Sequence, residues 1–452
     1  MQNVRTNVSD DQSFRQVFHA PFILQNQEAS LLPAGNHGAA SRPSTPEERV
    51  ALRLQKRLRR STLSSPPIPA LIDAIREQHD LMKRSVHVSF VEDNGTALGE
   101  WYVSLQQYPH WIAPEFSLTD AHFSLRSERI QEHITRFPPP QVQEPVHATI
   151  LGTEQKGTIE RATTDTVARN GRVLDNEASA VQLRDALHNQ LGQITLTLRT
   201  AQGHITMRDE ESTLELQLLA TGKSNYRGSP DARIWNVQKA INDHVNNVLI
   251  PARAVYSFNS TLSGAISLAN GWRMAKVIVS GDQLEMRPGG GICQASTTVY
   301  RSIVNGGFPV LERRAHSLYV TYYKEFGVGI DATVYPGTQD LTFLNDTPSP
   351  LLMQAYTEKE TGDVIVAIYG IPDGRKVSLS GPYFRSTASK ELTDAHGAIA
   401  GNEIAWLQTV VNADGTKRDY AIVSRYINFP ASLVREFQTP VEGREIIAHL
   451  GN

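Results

Sequence analysis

The chain has 452 residues and a single cysteine, Cys293. One cysteine cannot form an intrachain disulfide, so the redox compartment cannot be inferred from cysteine pairing. No stretch approaches the ~20 apolar residues that a membrane-spanning helix needs. The first fifty residues also lack the apolar core of a signal peptide. Two locations therefore remain open: the cytoplasm, or an extracytoplasmic site reached through an export segment that this sequence does not include.

Neither positive nor negative charge is in large excess. The chain has 44 Lys and Arg and 47 Asp and Glu, which gives a formal net charge of −3. There is no basic stripe with interleaved aromatic residues, so we expect no nucleic-acid partner. No His-rich or Cys-rich spacing completes a metal site. The chain's one run of three glycines lacks the Lys-Ser/Thr of a phosphate-binding loop. We therefore expect no metal and no other cofactor.

Composition and periodicity divide the chain into four parts. Residues 1–80 are rich in Asn, Gln, Ser and Pro, and we predict a poorly ordered arm with one helix over 47–60. Residues 84–206 mix strand and helix patterns and predict a smaller α+β module. Residues 210–370 form the main domain, and 371–452 form a β-rich C-terminal extension. The predicted fold class is α+β, with a helix packed on an antiparallel sheet in the main domain.

The lone cysteine follows the three consecutive glycines, Gly289, Gly290 and Gly291, whose backbone is free to adopt positive φ. The apolar spacing after them is helical, which places Cys293 in or near the first turn of a helix. Unpaired N–H groups and the helix dipole there can lower a thiol pKa from about 8.5 to about 3.5–7.5. A lone cysteine is otherwise commonly a small buried hydrophobic residue, and this alternative stays open.

A thiolate nucleophile needs a base, and the base usually needs an orienting partner. His316 stands before a predicted strand over 318–323, and Asp331 opens the next predicted strand. This order resembles papain-like and transglutaminase-like enzymes, in which a thiol at a helix start faces an imidazole across a helix–sheet junction. Taken singly, His316 also fits a hydrogen-bonded structural histidine, and Asp331 fits a turn or cap residue.

Longer motifs in the main domain closely resemble the VanW-like family, which is named after an accessory protein of vancomycin-resistance gene clusters. These motifs, in order, are Tyr256-Ser-Phe-Asn259, Gly271-Trp-Arg-Met-Ala-Lys-Val-Ile278, Gly289-Gly-Gly-Ile-Cys-Gln-Ala-Ser-Thr-Thr298, Glu312-Arg-Arg-Ala-His-Ser317 and Asp331-Ala-Thr-Val334. The resemblance covers residues 223–370, and its departures are Ala295, where Val is common, and Trp272, where Tyr is common. Residues 140–205 more weakly resemble a peptidoglycan-binding module that often precedes this domain.

The resemblance implies a protein of the cell envelope, outside the cytoplasm, with peptidoglycan as its partner. Family members typically carry an N-terminal membrane anchor or signal, which is absent from this sequence. The resemblance implies no settled activity, so the chemistry must come from the residues.

Three functions remain open. In the first, Cys293 attacks an amide of the peptide stem, His316 acts as base and then acid, and Asp331 orients His316. The side chain of Gln294 or the N–H groups of the glycine loop would stabilise the oxyanion. No Ser-His-Gly precedes the cysteine, so the motif is not that of an L,D-transpeptidase. The enzyme would be a peptidoglycan hydrolase, lyase or transpeptidase.

In the second function the enzyme cleaves the glycan strand as a lytic transglycosylase or muramidase, with Glu312 as the acid and Asp331 or Asp340 as the second carboxylate. The third is a peptidoglycan-binding scaffold without catalysis. The residues that we predict to contact the substrate are Gly289, Gly290, Gly291, Gln294, Ser296, Thr297, Thr298, Ser317 and Asn259.

Overall fold

The computed structural model describes residues 45–62, 65–93, 95–208, 213–279 and 283–445. The chain forms two compact units. Of the described residues, one unit contains those within 45–143 and 172–199, and the other contains those within 144–171 and 200–445. Within the described residues, no helix combines the length and the apolar character that crossing a membrane requires.

The α-helices of the described residues are distributed along the sequence. They are α1 (Pro46–Thr62), α2 (Ile68–Met82), α3 (Ser127–Arg136), α4 (Asn176–His188), α5 (Asp231–Lys239), α6 (Phe258–Thr261), α7 (Ile292–Asn305), α8 (Lys390–His396) and α9 (Ala431–Glu436).

The strands of the first unit, together with β5 and β6 between them, are β1 (Ser85–Glu92), β2 (Ala97–Ser104), β3 (Ile112–Phe116), β4 (Ala121–Leu125), β5 (Ala148–Lys156), β6 (Ile159–Thr164), β7 (Gly171–Leu174) and β8 (Gln193–Ala201). Those that follow are β9 (Ile205–Arg208), β10 (Thr213–Asn225), β11 (Val248–Ile250), β12 (Val255–Ser257), β13 (Met274–Val279), β14 (Gln283–Pro288), β15 (Val310–Glu312), β16 (Thr342–Leu344), β17 (Leu351–Thr357), β18 (Asp363–Gly370), β19 (Lys376–Tyr383), β20 (Glu403–Val411), β21 (Lys417–Arg425) and β22 (Val441–Glu445).

The first unit is a four-stranded sheet, in the order β2-β1-β8-β7, covered by helices. Its core includes Leu54 and Leu58 of α1 and Leu71 and Ile75 of α2. The predicted helix over 47–60 is therefore present as α1, but the predicted arm contains a second helix, because the apolar face of α2 has a core to cover. Residues 1–44 and 63–64 of the predicted arm lie outside the described residues.

The predicted 84–206 module is divided between the two units. Strands β5 and β6 pair with each other, while β5 also pairs with β9 and β6 with β11, so residues 144–171 lie in the larger unit. Alternation along a strand shows which face is buried, but it does not show which distant strand becomes the partner.

The larger unit is built on a closed seven-stranded sheet in the order β10-β18-β17-β11-β6-β5-β9. Its neighbouring strands are antiparallel except β5 and β9. Helix α7 packs on β10, where the hydroxyls of Ser224 and Thr298 lie 2.7 Å apart and the amide of Asn305 donates to the carbonyl oxygen of Thr221 at 2.7 Å. The predicted α+β class, with a helix on a mainly antiparallel sheet, is confirmed.

The predicted C-terminal extension folds as a four-stranded sheet, β21-β20-β19-β22. It packs on the end of α7, where the amide of Gln408 donates to the carbonyl oxygen of Val304 at 2.5 Å. Residues 446–452 lie outside the described residues.

Gly222 lies where β10 crosses α7, and a methyl group there would overlap the carbonyl oxygen of Thr298 and lie 2.5 Å from the amide nitrogen of Ser302. We expect Gly222→Ala to lower the free energy of unfolding by about 2–3 kcal/mol through overpacking. Gly152→Ala is the matched control, because Gly152 is also a strand residue and its added methyl group meets open space. Urea unfolding followed by tryptophan fluorescence tests the pair, and equal effects of the two substitutions would contradict the close approach.

Candidate functional site

Cys293 is the second residue of α7, as the sequence predicts for a helix-start thiol. Gly291 precedes the helix with φ +118°, and Gly290 lies so close to β13 that a methyl group would be 2.6 Å from the carbonyl carbon of Ala275. The buried amide of Asn236 donates to the carbonyl oxygen of Gly290 at 2.9 Å. The glycine loop is thus a close backbone contact that fixes the start of α7, and not an open cradle for a ligand.

Asp331 accepts hydrogen bonds on both carboxylate oxygens. Its Oδ2 accepts from the backbone N–H of His316 at 2.8 Å and from Nδ1 of the same imidazole. Its Oδ1 accepts from the hydroxyl of Tyr426 at 2.5 Å and lies 3.6 Å from the guanidinium of Arg313. Since Nδ1 faces Asp331, the imidazole presents Nε2 to the thiol.

The thiol of Cys293 lies beside the chain that continues from Asp331. Its Sγ is 3.6 Å from both the hydroxyl of Thr333 and the carbonyl oxygen of Val334. Cys293 is half-buried, whereas His316 and Asp331 are 5% and 1% exposed. Cys293 is therefore the most exposed of the three residues.

Each group in this cluster favours the charged form of its neighbour. Burial alone would raise the pKa of Cys293, but the hydrogen bond with His316 and the positive charge of His316 outweigh it and lower the pKa. Burial alone would lower the pKa of His316, but hydrogen bonds with Asp331 and Cys293 raise it to about 9. The hydrogen bond and charge of His316 also outweigh burial at Asp331 and hold the pKa of that carboxyl well below its usual range. The lowered pKa of the thiol and the raised pKa of the imidazole both favour a thiolate–imidazolium pair.

Cys293 and His316 open into a cleft of about 1860 Å³ within the larger unit. Its walls include the β13–β14 hairpin and the segment that follows His316. This volume exceeds the roughly 300–1,000 Å³ of a typical small-molecule pocket. The cleft therefore has room for a segment of a polymer.

Four residues that the sequence analysis assigned to substrate contact face the protein interior. Gln294, Ser296, Thr297 and Thr298 are each 0% exposed. The amide of Gln294 donates to the hydroxyl of Ser224 at 3.1 Å, and the hydroxyl of Ser296 donates to the carbonyl oxygen of Ala332 at 2.8 Å. These contacts contradict the predicted roles, including an oxyanion role for the Gln294 side chain, because α7 is buried on nearly all sides and its polar side chains bond within the protein.

Of the remaining candidate site residues, some line the cleft and others do not. Gly289, Gly291 and Ser317 line it. Glu312 is exposed on β15, outside the cleft lining, and its carboxylate accepts from the backbone N–H of Asp340 at 3.0 Å. The carboxylate of Asp340 in turn accepts from the backbone N–H of Asn259 at 2.9 Å. Asn259 and Asp340 thus hold a loop, and Asn259 is not in the cleft lining, so its predicted substrate contact stays a prediction.

The predicted strands around His316 are absent, although His316 and Asp331 still meet. Residues 318–323 are irregular with a short 3₁₀ turn, Thr321–Tyr323, and an isolated bridge joins Arg314 to Thr333. The sequence analysis also missed Tyr426 and Arg313 as partners of Asp331. Arg313 stands in a quoted motif, but nothing in the sequence links Tyr426 to a carboxylate 95 residues earlier.

The fold and this geometry define an α+β protein whose helix-start thiol and buried imidazole line one cleft, with a buried carboxylate bonded to the imidazole. Residues 232–369 match the family described as VanW like protein, so the resemblance found in the sequence is confirmed over these residues. This match supports a cell-wall-associated protein. The resemblance of residues 140–205 to a peptidoglycan-binding module stays a prediction.

The chain is also 30% identical over 156 residues to the uncharacterized protein YoaR of Bacillus subtilis (strain 168). The aligned part is 34% of this chain and 49% of YoaR, so the chain spans about half the length of that curated relative. No solved structure matches the chain.

The single cysteine allows the thiol pKa to be measured directly by alkylation with iodoacetamide. The wild-type thiol should react at a pH below the ordinary cysteine pKa of about 8.5, because His316 stabilises the thiolate. His316→Ala should move the pH profile upward and slow the reaction at neutral pH by about three- to tenfold. Superimposable profiles of the two proteins would contradict the thiolate–imidazolium pair.

Tyr426→Phe removes one donor from the buried Asp331 carboxylate. We expect a loss of about 1.5–3 kcal/mol in the free energy of unfolding, since hydrogen bonds to charged groups contribute this much. The alkylation profile should also move toward higher pH, because a carboxylate that is held less firmly stabilises the imidazolium less well. Tyr420→Phe is the control, because Tyr420 is 41% exposed on β21. A lower stability with an unchanged alkylation profile would show that Tyr426 stabilises the fold but does not affect the thiol pKa.

Proposed function

We propose that this protein is a thiol enzyme that cleaves or remodels an amide bond in the peptide stem of peptidoglycan. One observation carries the proposal: Cys293, His316 and Asp331 come together in hydrogen-bonding order beside an open cleft. A nucleophile, a base in contact with it and an orienting carboxylate are the arrangement of thiol acyl-transfer enzymes.

In the first half of the reaction, the Cys293 thiolate attacks the carbonyl carbon of the scissile amide, and an S–C bond forms. The N–H of Cys293 lies in the first turn of α7, where backbone donors lack intrahelical acceptors and can stabilise the oxyanion. His316 then gives its Nε2 proton to the departing nitrogen as the C–N bond breaks. The products are a thioester on Cys293 and a free amine.

In the second half, a water molecule attacks the thioester and passes a proton to His316. The S–C bond breaks, so the thiolate and the imidazolium are restored and a carboxylic acid leaves. An amine acceptor in place of water would give a new amide, which is transpeptidation. Asp331 stays ionised throughout, because its low pKa keeps it a hydrogen-bond acceptor for Nδ1–H.

The two candidate carboxylates, Asp331 and Glu312, support glycan chemistry less well than thiol chemistry. A glycosidase acid must be protonated near neutral pH, whereas His316 keeps Asp331 ionised. Glu312 is exposed, lies outside the cleft lining and already accepts a backbone N–H. Asp331 is therefore not available as a protonated acid, and Glu312 is not placed in the cleft lining.

We infer an extracytoplasmic location in the cell envelope, with peptidoglycan as the partner. The VanW-like match supports this location, and the size of the cleft suits a polymeric substrate.

Purified peptidoglycan should be incubated with wild-type protein, Cys293→Ala and Glu312→Gln, and its fragments analysed by mass spectrometry. For each amide that the wild type cleaves, we expect the total mass of the products to rise by one water molecule. One product should carry a new amine and the other a new carboxyl group. Cys293→Ala should lose about a thousandfold or more of the rate, since the nucleophile is removed. Glu312→Gln should retain the wild-type rate.

Other product patterns support the other functions. Anhydro or reducing sugar ends from Cys293→Ala, but not from Glu312→Gln, would establish cleavage of the glycan. Retention of the protein on insoluble wall without soluble fragments from any variant would establish a binding scaffold.

A further inference from the structure

The cleft beside Cys293 carries charge of one sign. Of the described residues that line it, none is Asp or Glu, and six are Lys or Arg: Arg233, Lys276, Arg287, Arg313, Arg314 and Arg425. The whole chain, in contrast, has a formal net charge of −3. A cleft lined by one sign of charge raises the local concentration of oppositely charged ligands.

Three of the six cations already have a carboxylate partner. Arg287 pairs with Glu285 at 2.7 Å, and Arg425 pairs with Glu403 at 2.6 Å. Arg313 lies 3.6 Å from Asp331 and also donates to the carbonyl oxygen of Val423 at 2.9 Å. These three hold the walls of the cleft.

The other three, Arg233, Lys276 and Arg314, have no Asp or Glu within ion-pair distance among the residues that the structure describes. Lys276 and Arg314 are exposed, and Arg233 is partly buried. An exposed cation needs no internal partner, but three cations without one, in a cleft with no acidic residue in its described lining, favour the binding of an anion.

Two of these cations belong to residues close to the segments that hold the thiol. The backbone carbonyl of Arg314 accepts from the N–H of Thr333 at 2.8 Å, and the hydroxyl of Thr333 lies 3.6 Å from the Sγ of Cys293. Arg233 packs against the glycine loop, since a methyl group on Gly291 would lie 3.1 Å from Cγ of Arg233.

The guanidinium of Arg233 is held in place at the cleft wall. It stacks over the ring of Tyr322 with 4.7 Å between the guanidinium carbon and the ring centre, and it donates to the hydroxyl of Ser229 at 2.8 Å. A guanidinium fixed in this way keeps further N–H donors in a fork that matches a carboxylate.

We propose that Arg233 and Arg314, assisted by Lys276, bind carboxylate groups of the substrate in the cleft beside Cys293. The substrate class is an anionic peptide with free carboxylates, and the same peptide with its carboxylates blocked binds poorly. This inference rests on the proposed function, because it takes the cleft beside Cys293 as the substrate site.

The experiment measures binding without catalysis, on full-length Cys293→Ala protein. The probes are soluble disaccharide–peptide fragments of peptidoglycan, labelled with a fluorophore on the sugar, with their carboxylates either free or methylated. Fluorescence anisotropy should show tighter binding of the free-carboxylate fragments, and added salt should weaken that binding because exposed charges are screened.

Arg314→Gln is the main variant, since Arg314 is exposed and its side chain is not needed for the fold. We expect it to weaken binding of the free-carboxylate fragments about two- to fivefold, and Arg233→Gln/Arg314→Gln about tenfold. Binding of the methylated fragments should not change. Lys390→Gln is the control, because it removes the same charge from a side chain that is 83% exposed on α8.

Each outcome separates this inference from the proposed function. Equal affinity for the two fragments would overturn the carboxylate site even if wild-type protein cleaves the wall. Selective binding with no cleavage by the wild type would preserve the site and reject the enzyme. Competition by a phosphate-bearing wall polymer but not by the free-carboxylate fragments would reassign the cations to phosphate and overturn the inference.

Discussion

The geometry of the site depends on one buried anion, the carboxylate of Asp331. A carboxylate with 1% exposure is costly to bury unless donors surround it. Asp331 has the backbone and side chain of His316 on one oxygen and Tyr426 on the other, with Arg313 nearby. Burial and the charge of Asp331 raise the pKa of Tyr426 well above its usual value, so the phenol stays a donor. The state of the imidazole and of the thiol follows from this anion.

The same anion joins parts of the chain that the sequence analysis treated separately. The family match ends at residue 369, yet Tyr426 follows β21 of the C-terminal sheet. Arg313 strengthens this connection, because its guanidinium donates to the backbone oxygen of Asp331 at 2.7 Å and to the hydroxyl of Ser424 at 2.5 Å. The extension is therefore part of the site and not a structural appendage.

Sequence patterns correctly predicted features that depend on a few neighbouring residues. They did not predict contacts between segments that are far apart in the sequence. The triple glycine and the helical spacing correctly place Cys293 in the first turn of α7, since both features act within a few residues. The polar residues after Cys293 were wrongly predicted to contact the substrate. Ser296 and Thr298 instead form hydrogen bonds with buried carbonyls and a neighbouring hydroxyl. The contact of Tyr426 with Asp331 spans 95 residues and has no local signal.

Helix α7 also fixes the distance between its own thiol and the carboxylate on another segment. Arg301, on the same helix, is 2% exposed and donates to the carbonyl oxygens of Ile330, Lys223 and Tyr323 at 3.1, 2.7 and 2.6 Å. Burial lowers the pKa of Arg301 to about 10, so it remains a cation at neutral pH. Because Ile330 immediately precedes Asp331, the helix that carries the nucleophile also holds the start of the segment that orients the base. The three groups are thus positioned by the core before any substrate enters, which is the preorganisation that electrostatic catalysis needs.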